Sequence, residues 1–221
     1  MSNEQMDGGR TQSRPQEYSR PVVLLKEVTD NLDATLVEGC RKGDPAAFDA
    51  LVRRYKDRVY NVAYRFLGNH EDAEDVAQEV FVRAYKGIKG FKGTSKVYTW
   101  LYSITGNLSR NKLRDEGRRG RNKGAPLEVL ESASANVAHR VSRGNRSADH
   151  DARANEMSDI LQRCLAELPE HYRMVFVLRT FEELSYDEIA EAVGCPKGTV
   201  KSRLNQARAL LRDQLRELSI L

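Results

Sequence analysis

Cysteine is scarce in this 221-residue chain, and Cys40, Cys164 and Cys195 stand far apart and odd in number. They form neither a CxxC pair nor a cluster with histidine, which argues against a zinc site and a disulfide framework. Buried thiols in a reducing compartment are what remains. Histidine is equally sparse: His70, His139, His150 and His171 are scattered, with no nucleophile–base pairing beside them. No phosphate-binding glycine loop is present either, so nothing supports an enzyme, a metal or a cofactor. No apolar run approaches the roughly 20 residues of a bilayer span, and the N-terminus lacks the apolar core of a signal peptide. A soluble cytoplasmic protein without membrane insertion is expected.

Charge is plentiful. The chain is 31% charged with a formal net charge of +4, a weak whole-chain argument for nucleic acid, so distribution matters more than the sum. Apolar residues recur at spacings of three and four, and short β-branched runs fall inside that period, which predicts an all-α fold of two helical domains joined by a flexible linker. Residues 1–30 are polar, with little periodicity, and are expected to form a flexible tail. A first domain is expected over 31–114. In it a short helix carries Leu36, Val37 and Cys40. A second helix, N-capped by Asp44 with Pro45 at its first position, buries Phe48, Leu51, Val52, Tyr55, Val59, Val62, Ala63 and Phe66. After an acidic third helix and a glycine-punctuated loop, a fourth places Val97, Leu101, Ile104 and Leu108 on one face. Residues 115–154, rich in Arg, Gly, Ser and Asn, are expected to form the linker. The second domain, 155–221, opens with Met157, Ile160, Leu161, Cys164, Leu165 and Leu168 on one helical face.

Three stretches carry chemistry. In Asp72-Ala-Glu-Asp-Val-Ala-Gln-Glu-Val-Phe81, the apolar residues form one stripe while Asp72, Asp75, Gln78 and Glu79 share another face. Phosphates repel a carboxylate ridge, so this ridge suggests a second, positively charged partner. The segment from Phe91 to Arg114 interleaves aromatics, hydroxyls, amides and cations: Lys92, Ser95, Lys96, Tyr98, Trp100, Tyr102, Asn107, Arg110, Asn111 and Arg114. Aromatics beside cations suit unstacked bases, because every base offers a π-face and cations follow the backbone. The third stretch, from Leu184 to Leu204, reads as a helix-turn-helix. Ser185 and Glu188 form a capping box, Gly194 permits the left-handed turn, and Val200, Leu204, Ala207 and Leu211 seat the second helix. Lys197, Thr199, Lys201, Ser202, Arg203, Gln206 and Arg208 are left on its outer side, types that serve phosphate and base-edge contacts.

The motifs DAEDVAQEVF, YTWLYSITGN and LSYDEIAEAVGCPKGTVKSRLNQAR, in this order, resemble a bacterial sigma factor of the extracytoplasmic-function group in the sigma-70 family. The resemblance covers nearly everything from Asp33 to Leu218 except the linker. It implies that the acidic helix, through Asp72, Asp75, Gln78 and Glu79, docks on the clamp helices of the largest subunit of core RNA polymerase. It implies that the loop 90–96 and the helix after it melt and read the promoter −10 element, one base being flipped into a pocket. The helix-turn-helix is then the −35 reader in the major groove, with the β flap as a second polymerase contact. The linker is implied to thread the polymerase cleft, and an anti-sigma factor is an implied partner. The alternative is a stand-alone helix-turn-helix repressor or activator, which binds free duplex without polymerase.

Overall fold

The computed structural model describes residues 20–122, 148–218 and 220. The outer part of the expected tail, 1–19, and most of the expected linker, 123–147, lie outside the described residues. Eight α-helices and one short 3-10 turn make up the described fold, and no strand occurs among the described residues.

Four helices form the N-terminal half: α1 (Arg20–Arg41), α2 (Pro45–Leu67), α3 (His70–Gly87) and α4 (Val97–Asn122), with the 3-10 turn Ile88–Gly90 after α3. Both α1 and α4 outrun the sequence expectation. Helix α1 starts eleven positions inside the expected tail, in a stretch where Val22, Leu25, Val28 and Leu32 already recur at helical spacing. Helix α4 continues past Arg114 through the basic run that was expected to open the linker. The predicted start of α2 is present: Asp44 accepts a hydrogen bond from the Ala46 amide at 2.9 Å, with Pro45 at the first position. Gly68 closes α2 in the left-handed conformation, φ 90°, and its amide bonds the Tyr64 carbonyl. Asn69 caps α3 through the Asp72 amide. The tie between α1 and α2 is polar, since buried Asp33 receives the Tyr55 hydroxyl and pairs with Arg54 at 2.8 Å.

The C-terminal half contains α5 (Ala148–Glu167), α6 (Glu170–Thr180), α7 (Tyr186–Val193) and α8 (Lys197–Glu217). Helix α5 begins ahead of residue 155, and Met157, expected on its buried face, is half exposed. The helix-turn-helix of α7 and α8 forms as expected. Both bonds of the Ser185–Glu188 capping box are present, and Gly194 sits at φ 67°, ψ 44°. Val200, Leu204 and Ala207 are fully buried and Leu211 nearly so.

The halves share one continuous core, and the joint is built from polar caps. Helix α2 ends with carbonyls that have no partner inside the helix. Gln162 of α5 donates to the Tyr64 and Arg65 carbonyls at 3.1 and 3.3 Å, and Arg173 of α6 donates to that of Phe66. A Cβ added at Gly106 of α4 would lie 3.3 Å from Met174 of α6, so the glycine lets these helices approach closely. Replacing Ser185 by alanine removes an N-cap and is expected to lower stability by about 1 kcal/mol. An unchanged urea midpoint would show that the cap does not operate in solution.

Candidate nucleic-acid interface

On α8 most of the outer face predicted from sequence is exposed. Lys197, Lys201, Ser202, Gln206 and Arg208 are exposed, while Thr199 and Arg203 are half-buried. Lys197 reaches back to Asp187 of α7 at 2.8 Å, and the Ser202 hydroxyl donates to the Thr199 carbonyl at 3.0 Å. The N-terminal turn of α8 has no side-chain cap, and helix N-termini favour phosphate.

The segment from Lys92 to Arg114 divides in two. Lys92, Asn107, Asn111 and Arg114 are exposed, and Ser95 and Arg110 half-buried, the latter bonding the Asn107 amide oxygen and the Gly106 carbonyl. Lys96 pairs with Asp30 of α1. Trp100 stacks on Phe91 with ring centroids 5.0 Å apart, beneath Gly87, as a cap on the small core. Tyr98 and Tyr102 differ from expectation. They do lie off the Val97–Leu101–Leu108 stripe, yet both are buried, because α4 has a second packed face under α7. The Tyr98 hydroxyl donates to Glu188 and the Tyr102 hydroxyl to Glu182, in the loop between α6 and α7. Arg58 of α2 joins them, 2.8 Å from the Glu182 carboxylate, whose side chain is only 6% exposed. Arg65 lies over the Phe181 ring at 3.6 Å. Arg58 and Glu182 escaped the sequence reading, although the position of Arg58, one turn beyond Arg54 on α2, marks a cationic face.

The carboxylate ridge on α3 is also split. Asp75 and Gln78 are exposed and Glu79 partly so, paired with Arg83 at 2.8 Å. Asp72 instead turns inward, its side chain 15% exposed, to meet Lys112 of α4 at 2.6 Å. Lys112 reaches Asp75 as well, at 3.1 Å, and its hydrogen bond with Asp72 chiefly holds its ammonium above the ordinary lysine range. Beside the ridge runs an apolar groove of about 640 Å³, lined by Phe48, Val52, Ala77, Phe81, Val82 and Tyr85 among others. Phe48 and Val52, expected in the core, are only partly buried because they form this groove, and Tyr85 is 63% exposed. Among the described residues no helix is long and apolar enough to cross a membrane, and no group of three or more acidic, His or Cys side chains is placed to hold a metal.

A helix-turn-helix with a basic outer face, set on a second all-helical unit, is the arrangement of a DNA-binding protein. Residues 51–119 match the family model described as sigma-70 region 2, and residues 158–211 that of sigma-70 region 4. The chain is 39% identical over 187 residues to the ECF RNA polymerase sigma factor SigW of Bacillus subtilis, covering 82% of this chain and 96% of that protein. It is 36% identical over 191 residues to the RNA polymerase sigma-H factor of Pseudomonas aeruginosa, covering 86% and 97%. CnrH, solved in complex with the cytosolic domain of CnrY, shares the fold at TM-score 0.61 and 24% identity, over 84% of this chain and 98% of that one. The chain belongs to the sigma-70 family of RNA polymerase sigma factors, in the extracytoplasmic-function group.

Burial, together with the carboxylate against each hydroxyl, pushes the Tyr55, Tyr98 and Tyr102 phenols well above the usual tyrosine range. A raised folded-state value stabilises the fold fully below the unfolded value of about 10 and is lost as pH rises beyond it. Tyr55, Tyr98 and Tyr102 are expected to stay protonated in the folded protein at alkaline pH and to ionise only as it unfolds. An absorbance titration in which these three phenols ionise near pH 10 with the fold intact would contradict the buried arrangement.

Proposed function

We propose that this sigma factor directs core RNA polymerase to promoters through three separate faces. The observation that carries this is charge segregation: the acidic ridge and apolar groove lie along α3, while the basic outer face belongs to α8. Asp75, Gln78 and Glu79 offer carboxylates and an amide to a basic helical partner, and Val82 and Tyr85 supply an apolar anchor beside them. The clamp helices of the polymerase largest subunit fit this face. Asp72, drawn to Lys112, acts by holding α3 against α4 rather than by direct contact. Residues 92–114 serve the −10 element, with Lys92, Asn107, Asn111 and Arg114 the outward groups. Lys197, Thr199, Lys201, Ser202, Arg203, Gln206 and Arg208 serve the −35 element in the major groove, and the β flap meets the same C-terminal domain. The first domain is taken as 31–114 and the second as 155–221, each extended by the helical turns described above. CnrH is held by the cytosolic domain of CnrY, and RpoE of Bartonella quintana by the anti-sigma factor NepR; a partner of the same kind is proposed here.

Charge reversal at Asp75 and Glu79, D75K/E79K, is expected to abolish co-purification with core polymerase while circular dichroism stays unchanged. Retained binding removes α3 from the interface. Tyr85→Ala is expected to weaken the same binding by more than salt alone does, since its contribution is apolar. Arg203→Ala should cost about 1–3 kcal/mol of −35 duplex binding by the holoenzyme if it reads a base. A uniform loss across sequences makes it a phosphate contact. Tight duplex binding by the chain without polymerase would instead favour a stand-alone regulator.

A further inference from the structure

Between the second half of α4 and the start of α6 lies a cleft of about 620 Å³, whose walls carry Arg110, Arg114, Glu170, His171 and Arg173. Arg110 and Arg114 belong to the −10 segment, whereas Glu170, His171 and Arg173 have no part in the proposed DNA or polymerase contacts. Arg173 is the unusual member. It is only 7% exposed, and its guanidinium donates to the Phe66, Ala166 and Leu168 carbonyls. Those acceptors are neutral, and the Arg173 Nε has no hydrogen-bond partner. Burial holds the guanidinium below the ordinary arginine range, with Glu170 the charge that opposes this. Arg110 likewise donates to neutral acceptors, the Gly106 carbonyl and the Asn107 amide oxygen. Among the described residues no carboxylate stands within ion-pair distance of Arg110, Arg114 or Arg173. Buried cations ordinarily have an anion beside them.

We infer that this cleft binds a small molecule that carries a terminal phosphate monoester. Its three arginines and one glutamate leave a net charge of about +2 with His171 neutral, and a phosphate monoester carries about −1.5 to −2 at neutral pH. A phosphodiester carries only a single charge, so a nucleic-acid backbone matches the cleft less well. Guanidinium groups suit the ligand because they grip phosphate oxygens in bidentate pairs. Helix α6 begins in the wall of the cleft without a side-chain cap, and helix N-termini favour phosphate. The volume falls within the range of small-molecule sites. Leu113 and Pro169, also in the lining, offer apolar surface to the sugar or base that bears the phosphate.

Calorimetric titration of the full-length chain, without polymerase and at low ionic strength, tests the site with inorganic phosphate, adenosine monophosphate and adenosine. The first two are expected to bind and adenosine is not. Amide resonances of Glu170 and His171 in the isotope-labelled chain should shift with the same saturation curve. Arg110→Gln and Arg114→Glu are each expected to weaken both ligands roughly tenfold or more, as the loss of a charged hydrogen-bond partner does, with circular dichroism unchanged. Arg173 is left in place because its carbonyl bonds hold helix ends. Arg212→Ala, at an exposed arginine of α8, is the control and should bind as the wild type does. Tighter binding of the nucleotide than of phosphate makes the natural ligand a nucleotide, and equal affinities make the phosphate group alone the determinant; either upholds the site. Absence of binding by both phosphates, adenosine binding as tightly as its monophosphate, or an equal loss in Arg212→Ala overturns it. So does equal competition by a short oligonucleotide without terminal phosphates, which makes the cleft a contact for nucleic-acid backbone.

Discussion

A buried carboxylate must have partners, and in this protein the partners of Glu182 come from the other domain. Arg58 and Tyr102 sit on different helices, α2 and α4, so satisfying one acid fixes the relation of three elements at once. Tyr55 supports the arrangement from below, with Arg58 about its ring at 5.9 Å, as it is about that of Tyr102. The remaining contacts follow from this placement. Once α6 and its following loop lie beside α2, Arg173 and Gln162 reach carbonyls of its last turn, those of Phe66 and of Tyr64 and Arg65. The halves are thus joined by these polar contacts as well as by the apolar core they share.

Charge is arranged by the same logic. Helix α3 carries acids outward, and Lys112 of α4 binds two of them from behind. That bridge brings together a helix expected to meet a protein and one expected to meet DNA, without mixing their surfaces. The outward residues of α8 have few acidic neighbours, with Asp187 holding Lys197 at the rim. A protein that must bind polymerase and promoter together needs such separation, because either polyelectrolyte would otherwise interfere with the other's site.

Much of the fold was legible because local rules act locally. Asp44-Pro45, the Ser185–Glu188 box, Gly194 and the Val200–Leu204–Ala207–Leu211 stripe each announce a helix boundary or a packed face. The double-sided burial of α4 was not legible. A single apolar stripe is what periodicity reveals, whereas the second face of α4 is made of Tyr98, Tyr102, Thr105 and Ser109, polar by type and buried in fact. Gly106 was the available hint, since a glycine inside a helix points to close approach. Phe48 and Val52 misled in the opposite direction, since apolar residues at core spacing line an open groove here. The extra turns of α4 were hidden by a polar, glycine-bearing composition, whereas those of α1 carried a helical apolar spacing that the polar tail around it obscured.

Glu188 divides its two oxygens between tasks that differ in kind. One accepts the Ser185 amide at the start of α7, and the other takes the Tyr98 hydroxyl. The residue that completes the capping box of the first helix of the DNA-reading motif therefore also ties that helix to α4 of the N-terminal half. Aspartate here would be too short to serve both, and an apolar residue would lose both at once. A substitution at this position therefore alters the start of α7 and its contact with α4 together.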